Sequence, residues 1–71
     1  MGRRLASARV LCGLSQEEAA EKSGVAQPYL SRLENDNAPA PPVHTVAKLA
    51  ELYEVTIDFL VNGTKPGNVA A

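Results

Sequence analysis

An all-α bundle of five short helices is the fold predicted by three features of this 71-residue chain. Apolar residues recur at i, i+3, i+4 and i+7, with no alternating strand pattern. Glycine and Asn/Asp/Pro clusters break that spacing at short intervals. Aliphatic side chains are plentiful, whereas the aromatics are only Tyr29, Tyr53 and Phe59, a balance that suits helix packing better than a β-sandwich.

Leu5, Ala8, Arg9 and Cys12 predict an amphipathic first helix over about residues 3–12, stopped by Gly13. Arg9 stands on the apolar stripe, so its charge needs a partner. Cys12, on the same stripe, is expected as a small buried hydrophobe rather than a redox switch. Arg3 and Arg4 read as a charged, frayed end or as an arm that reaches a ligand. Next, Ser15-Gln16-Glu17-Glu18 spells a capping box, in which the Ser15 hydroxyl accepts from the Glu18 N–H and the Glu18 carboxylate accepts from the Ser15 N–H. Ala19 and Ala20 give this second helix a thin inner face, and Gly24 ends it at a position that favours positive φ.

Val25 is expected to be a buried turn residue. A third helix runs from about Gln27 to Glu34, with Pro28 tolerated in its first turn, where no intrahelical donor is lost. Leu30 and Leu33 face inward, and Gln27, Pro28, Ser31 and Arg32 lie opposite. Asn35 to Pro42 is a loop stiffened by Pro39, Pro41 and Pro42, with Asn and Asp suited to left-handed positions at the helix exit. Val46, Leu49, Ala50 and Tyr53 define a fourth helix over about residues 43–54. Thr56 caps a short fifth helix over about residues 57–62, closed by Asn62-Gly63. The expected organisation is one domain over about residues 1–63 and a small-residue tail, 64–71, without fixed structure.

Composition narrows the function classes. One cysteine excludes an internal disulfide, and one histidine, His44, excludes a zinc-finger pattern. His44 itself reads as a solvated residue. No apolar run approaches the roughly 18 residues of a membrane span, and the N-terminus lacks a signal-peptide core, so a cytoplasmic protein is expected. No nucleophile–base pair, Gly-rich phosphate loop or metal-ligand set is present, so neither catalysis nor a metal or other cofactor is expected. The net charge of −1 does not advertise nucleic-acid binding, which leaves any such reading to charge placement. Placement is weakly asymmetric. Through residue 34, five basic side chains face four acidic ones; beyond it, Lys48 and Lys65 face Asp36, Glu51, Glu54 and Asp58.

A capped helix, a break at Gly24 and a second helix opening at Gln27 together spell a helix-turn-helix, whose second helix is shaped to enter the major groove of DNA. At this point the chain resembles the lambda-repressor-like helix-turn-helix family of phage repressors, Cro-type proteins and bacterial regulators. The matching residues are Leu14-Ser15-Gln16-Glu17-Glu18-x-Ala20, Gly24-Val25 and Leu30-Ser31-Arg32-Leu33-Glu34. Thr45-Val46-x-Lys48-Leu49-Ala50, Val55 and Leu60 extend the match. The resemblance implies a compact five-helix DNA-binding domain that reads a double-stranded operator as a transcriptional regulator, most simply a dimeric repressor or controller.

By position, the resemblance puts Ala26, Gln27, Pro28 and Arg32 toward the bases. Tyr29 and Ser31 fall beside the groove wall, Tyr29 serving equally as packing at the bundle edge. Asn35 falls near a phosphate, and Gln16 both contacts a phosphate and braces the start of helix 3. Arg9 is implied to pair with Glu34, a structural rather than catalytic role. These side chains suit base reading, since glutamine bonds adenine N6 and N7 bidentately and arginine does the same to guanine O6 and N7. Outside the motif, Gln27 would read as a solvated residue and Arg32 as half of a surface ion pair. Pro28 stands where relatives carry a polar reader, Asp36 replaces the usual glycine, and Pro42 replaces the usual capping serine. The loop before helix 4 looks one residue longer than usual. Ile57, Phe59 and Val61 are expected to form an exposed patch for a two-fold homodimer, which implies a palindromic operator. No small-molecule effector is evident. The competing readings are a protein-interaction module and an antitoxin on the same fold.

Overall fold

The computed structural model describes residues 1–63; the tail expected at 64–71 lies outside the described residues. It holds five helices: α1 (Gly2–Leu11), α2 (Gln16–Ser23), α3 (Gln27–Glu34), α4 (Val43–Tyr53) and α5 (Ile57–Asn62). There is no strand among the described residues. Four leucines are fully buried, Leu5, Leu30, Leu49 and Leu60, one each from α1, α3, α4 and α5. Each contributes roughly 1.5–3 kcal/mol by leaving water. α2 adds only Ala19 and Ala20, and their small size lets it lie close against α3 and α4.

The punctuation of α2 follows directly from its residues. Ser15 Oγ accepts from the Glu18 N–H at 3.1 Å, and Glu18 Oε1 accepts from the Ser15 N–H at 2.9 Å. The latter bond holds the Glu18 carboxyl below the ordinary glutamate range. Gly24 ends the helix at φ 78°, in the left-handed region open to a residue without Cβ. Val25 is buried in the turn that follows.

The first turn of α1 is tied to residues far along the chain. The Gly2 N–H donates to Asp36 Oδ1 at 3.1 Å, so the exit of α3 caps the start of α1. Asp36 takes φ 57°, which aims its carboxylate back across that exit. A Cβ on Gly2 would stand 2.5 and 2.6 Å from the carbonyl oxygens of Leu33 and Glu34, so only glycine permits this approach. The contact brings the positive end of one helix dipole to the negative end of another. Arg4 is neither frayed nor free. Its Nε and Nη2 donate to the carbonyls of Leu60 and Val61 at 3.0 and 2.9 Å, closing the C-terminus of α5.

Cys12 departs from expectation. α1 stops at Leu11, so the inward stripe ends one residue before it, and Cys12 is exposed with its Sγ donating to the Tyr53 carbonyl at 3.4 Å. At the end of α4, Glu54 rather than glycine takes the left-handed cap, φ 57°.

A partly buried polar network joins α1, α2 and α3 beside the apolar core. Arg9 Nε donates to Glu34 Oε2 at 2.8 Å and Nη2 to Oε1 at 3.1 Å, a forked pair. Arg9 Nη1 donates to the Leu14 carbonyl at 2.9 Å, and Gln16 Nε2 donates to Glu34 Oε1, also at 2.9 Å. The Glu34 side chain is 4% exposed and that of Arg9 15%. Hydrogen bonding to Glu34 raises the Arg9 guanidinium above its ordinary range despite the burial penalty. Nearby, the Tyr53 hydroxyl is buried without a hydrogen-bond partner among the described residues. Burial pushes its pKa up to about 12.

Arg9→Ala strands the Glu34 carboxylate and is expected to cost about 3–5 kcal/mol; a thermal melt at the wild-type temperature would refute this. Gly2→Ala forces α1 off the end of α3, with an expected loss of about 1–3 kcal/mol in a denaturant titration. Tyr53→Phe removes an unpaired polar group and should leave stability equal or higher by about 1 kcal/mol. Because the folded tyrosine titrates above its ordinary value of 10.0, its contribution is complete below that pH and is lost as pH rises toward about 12. Alkaline melts should therefore show a decline in the wild type that Tyr53→Phe flattens.

Candidate nucleic-acid interface

α3 presents its polar residues in a pattern set by helical geometry. Gln27, Ser31 and Asn35 follow one another at i, i+4 and i+8, and Pro28 and Arg32, also four apart, form an adjacent line. Leu30 and Leu33 occupy the reverse side and are buried. Ala26, Gln27, Pro28, Arg32 and Asn35 are exposed, whereas Ser31 is half-buried. Tyr29 sits between the two faces, half-buried and packed against the core, so it serves the bundle edge with at least part of its ring.

Pro28 falls in the first turn of α3, where its missing N–H removes no helical bond. Ala26 precedes it as the N-cap and supplies no capping side chain. The first N–H groups of α3 therefore have no side-chain cap, an arrangement compatible with an approaching anion. At the other end, Asn35 Nδ2 donates to the Ser31 carbonyl at 2.9 Å. The Asn37 N–H donates to the Arg32 carbonyl at 2.8 Å, and Arg32 Nη2 returns to the Asn37 carbonyl at 3.4 Å. Sequence reasoning did not find this role of Asn37, which works through its backbone and leaves no side-chain signature. Nor did it find the Asp36 cap on Gly2, which depends on α1 and α3 meeting.

Two expected roles are corrected. Gln16 does not brace the start of α3; its amide donates to Glu34 at the end of that helix. The cause is that α2 lays its N-terminal turn beside the buried carboxylate, the strongest acceptor within reach. Ile57, Phe59 and Val61 do not form a single patch. Ile57 and Val61, four apart, share one edge of α5 and are 40% and 46% exposed. Phe59, two positions from each, turns away and is half-buried against the core.

Lys22 and Lys48 line an open hollow between α2 and α4 together with Glu51. Arg3 lies on the outer side of α1. Among the described residues, no helix is long and apolar enough to cross a membrane.

Comparison with known proteins agrees with this geometry. Residues 5–60 match the helix-turn-helix family HTH_3. The chain is 41% identical over 61 residues to the HTH-type transcriptional regulator ImmR of Bacillus subtilis, covering 86% of this chain and 47% of that protein. It is 36% identical to the HTH-type transcriptional regulator PuuR of Escherichia coli, over 92% of this chain and 35% of the relative. It is 34% identical to the HTH-type transcriptional regulator SinR of Bacillus licheniformis, over 87% and 56%. It thus spans about half the length of these relatives or less. Among solved structures, the complex of SinR and SinI proteins superposes with a TM-score of 0.83 at 27% identity, over 97% of this chain and 71% of that one. With α2, the Gly24 turn and α3 in place and the family match spanning four-fifths of its length, the chain belongs to the lambda-repressor-like helix-turn-helix family.

Proposed function

We propose that this chain binds double-stranded DNA in a sequence-specific manner, placing α3 in the major groove as the reading part of a cytoplasmic transcriptional regulator. The single observation that carries this reading is the exposed polar arc of α3, held rigid from behind by Leu30, Leu33 and the buried Arg9–Glu34 fork. A helix so braced can meet base edges without ordering itself first, which lowers the entropic cost of binding.

Gln27 is the principal base reader, with Ala26 and Pro28 supplying shape against thymine methyls and Arg32 reaching a guanine edge from the far end of the arc. Ser31 and Tyr29 lie beside the groove wall, and Asn35 meets a phosphate. Gln16 also contacts a phosphate: an amide NH2 has two donors, and only one is used on Glu34. α3 carries a single basic residue, so most of the affinity comes from neutral hydrogen bonds, backbone donors and the presence of two reading heads.

The two heads arise in a two-fold homodimer through Ile57 and Val61 of α5, which sets half-sites about 34 Å apart on a palindromic operator. A protein-interaction module or antitoxin is the weaker reading, because the relatives are named as transcriptional regulators.

Selection of bound duplexes from a random pool tests the proposal; a palindromic winner is expected, and recovery of no preferred sequence would overturn it. On the selected duplex, Gln27→Ala should erase discrimination at one base pair by about 1–3 kcal/mol. Gln16→Ala should instead weaken all sequences alike and leave the salt slope unchanged, because a neutral amide displaces no counterion. Equal effects of both variants at every position would refute this division of labour.

A further inference from the structure

We propose that Asp36 is a positioning residue for base choice: its side chain ties the exit of α3 to the start of α1 and so fixes where Arg32 meets the duplex. The inference rests on the DNA reading above and names what holds one end of that surface in place.

α3 closes in a two-bond turn whose pivot is Asp36. The Asp36 N–H donates to the Leu33 carbonyl at 3.2 Å, and the Asn37 N–H to the Arg32 carbonyl at 2.8 Å. In this helix-ending motif the pivot takes a left-handed conformation and is usually glycine. Here it is an aspartate at φ 57°. A side chain is disfavoured at that φ relative to glycine, so the turn itself gains nothing from the carboxylate. What the carboxylate does is accept from the Gly2 N–H at 3.1 Å, across 34 positions of sequence.

The approach is close enough to act as a fixed joint. Three oxygens of the α3 exit, the Leu33 and Glu34 carbonyls and Asp36 Oδ1, lie 2.5, 2.6 and 2.8 Å from where a Gly2 Cβ would stand. α1 is also held at Arg9, which forks onto Glu34. Gly2 and Arg9 are about two turns apart on α1, roughly 10 Å. With one attachment, at Glu34, the last turn of α3 could swivel about the ion pair. The second, at Asp36, removes that freedom.

Arg32 depends on this joint more than Gln27 does. The Arg32 carbonyl and Nη2 are both bonded to Asn37, the neighbour of Asp36, at 2.8 and 3.4 Å. Gln27 stands at the opposite end of α3, in its first turn. Loosening the joint therefore moves the Arg32 end of the arc and spares the Gln27 end.

Binding to the selected duplex and its single-base variants tests this, with circular dichroism confirming that each protein is folded. Arg32→Ala and Gln27→Ala identify the base pair that each side chain reads. Asp36→Gly keeps the left-handed turn and deletes the carboxylate. It is expected to lower discrimination at the Arg32 base pair about fivefold, within the range of one bidentate contact, and to leave the Gln27 base pair unchanged. Asp36→Asn, which retains the conformation and an acceptor oxygen, should keep wild-type discrimination at both. Gly2→Ala, which opens the same joint from α1, should reproduce the selective loss. The proposal is overturned if Asp36→Gly weakens both base pairs equally, if Asp36→Asn behaves as Asp36→Gly, or if Gly2→Ala spares the Arg32 base pair. It also falls if Arg32→Ala reveals no base pair of its own. A wild type without base preference overturns the DNA reading as well, whereas a wild-type preference untouched by Asp36→Gly overturns this proposal alone.

Discussion

The carboxylate of Glu34 holds the arrangement of three helices. It closes α3, receives the Arg9 fork from α1 and takes the Gln16 amide from α2. Arg9 in turn directs a further donor to the Leu14 carbonyl, just ahead of α2. A buried charge is costly unless every lone pair is met, so the three helices are held in one relative placement. The angle between α2 and α3, and with it the direction in which Gln27 and Arg32 project, follows from that placement. Apolar packing alone, with alanines on the inner face of α2, would tolerate sliding.

The same region shows how little α3 contributes to its own stability. α3 is eight residues long, begins with Ala26 and a proline-containing turn, and has no side-chain cap at its start. Isolated, it would not form in water. It persists because Leu30 and Leu33 are buried behind it and because its exit is tied down by the Arg32–Asn37 and Asp36–Gly2 contacts. Gln27 and Pro28, at the front of the first turn, are thereby released from structural work. This division, with apolar groups and a buried ion pair behind and polar groups in front, is what allows one fold to carry many different surfaces.

Charge fits this picture. The net charge of −1 supplies no broad attraction to phosphates, and the only basic residue of α3 is Arg32. Arg4 and Arg9, which a count would credit to an electrostatic footprint, are both engaged inside the protein. Asp36 likewise directs its charge to Gly2 rather than facing outward unpaired. In the proposed complex, affinity must then come from shape, from directional hydrogen bonds and from pairing of two domains, all of which are less sensitive to salt than a cationic groove.

Local chemistry settled the five helices, the Ser15–Glu18 capping box, the Gly24 turn and the inward leucines, because capping, turn conformation and helical periodicity act over a few residues and are written in neighbouring side chains. The polar arc on α3 was legible for the same reason. Side chains whose partners are far along the chain were not: Arg4 on α5, Asp36 on Gly2, Gln16 on the end of α3, and Phe59 turned to the core. A periodic stripe extended past the point where α1 stops puts Cys12 inside, and the fold leaves it exposed. Periodicity tells which face is apolar but not where a helix ends or which neighbour covers it. Those outcomes depend on competition among donors and acceptors that meet only after the chain has packed, and the tertiary structure alone decided them.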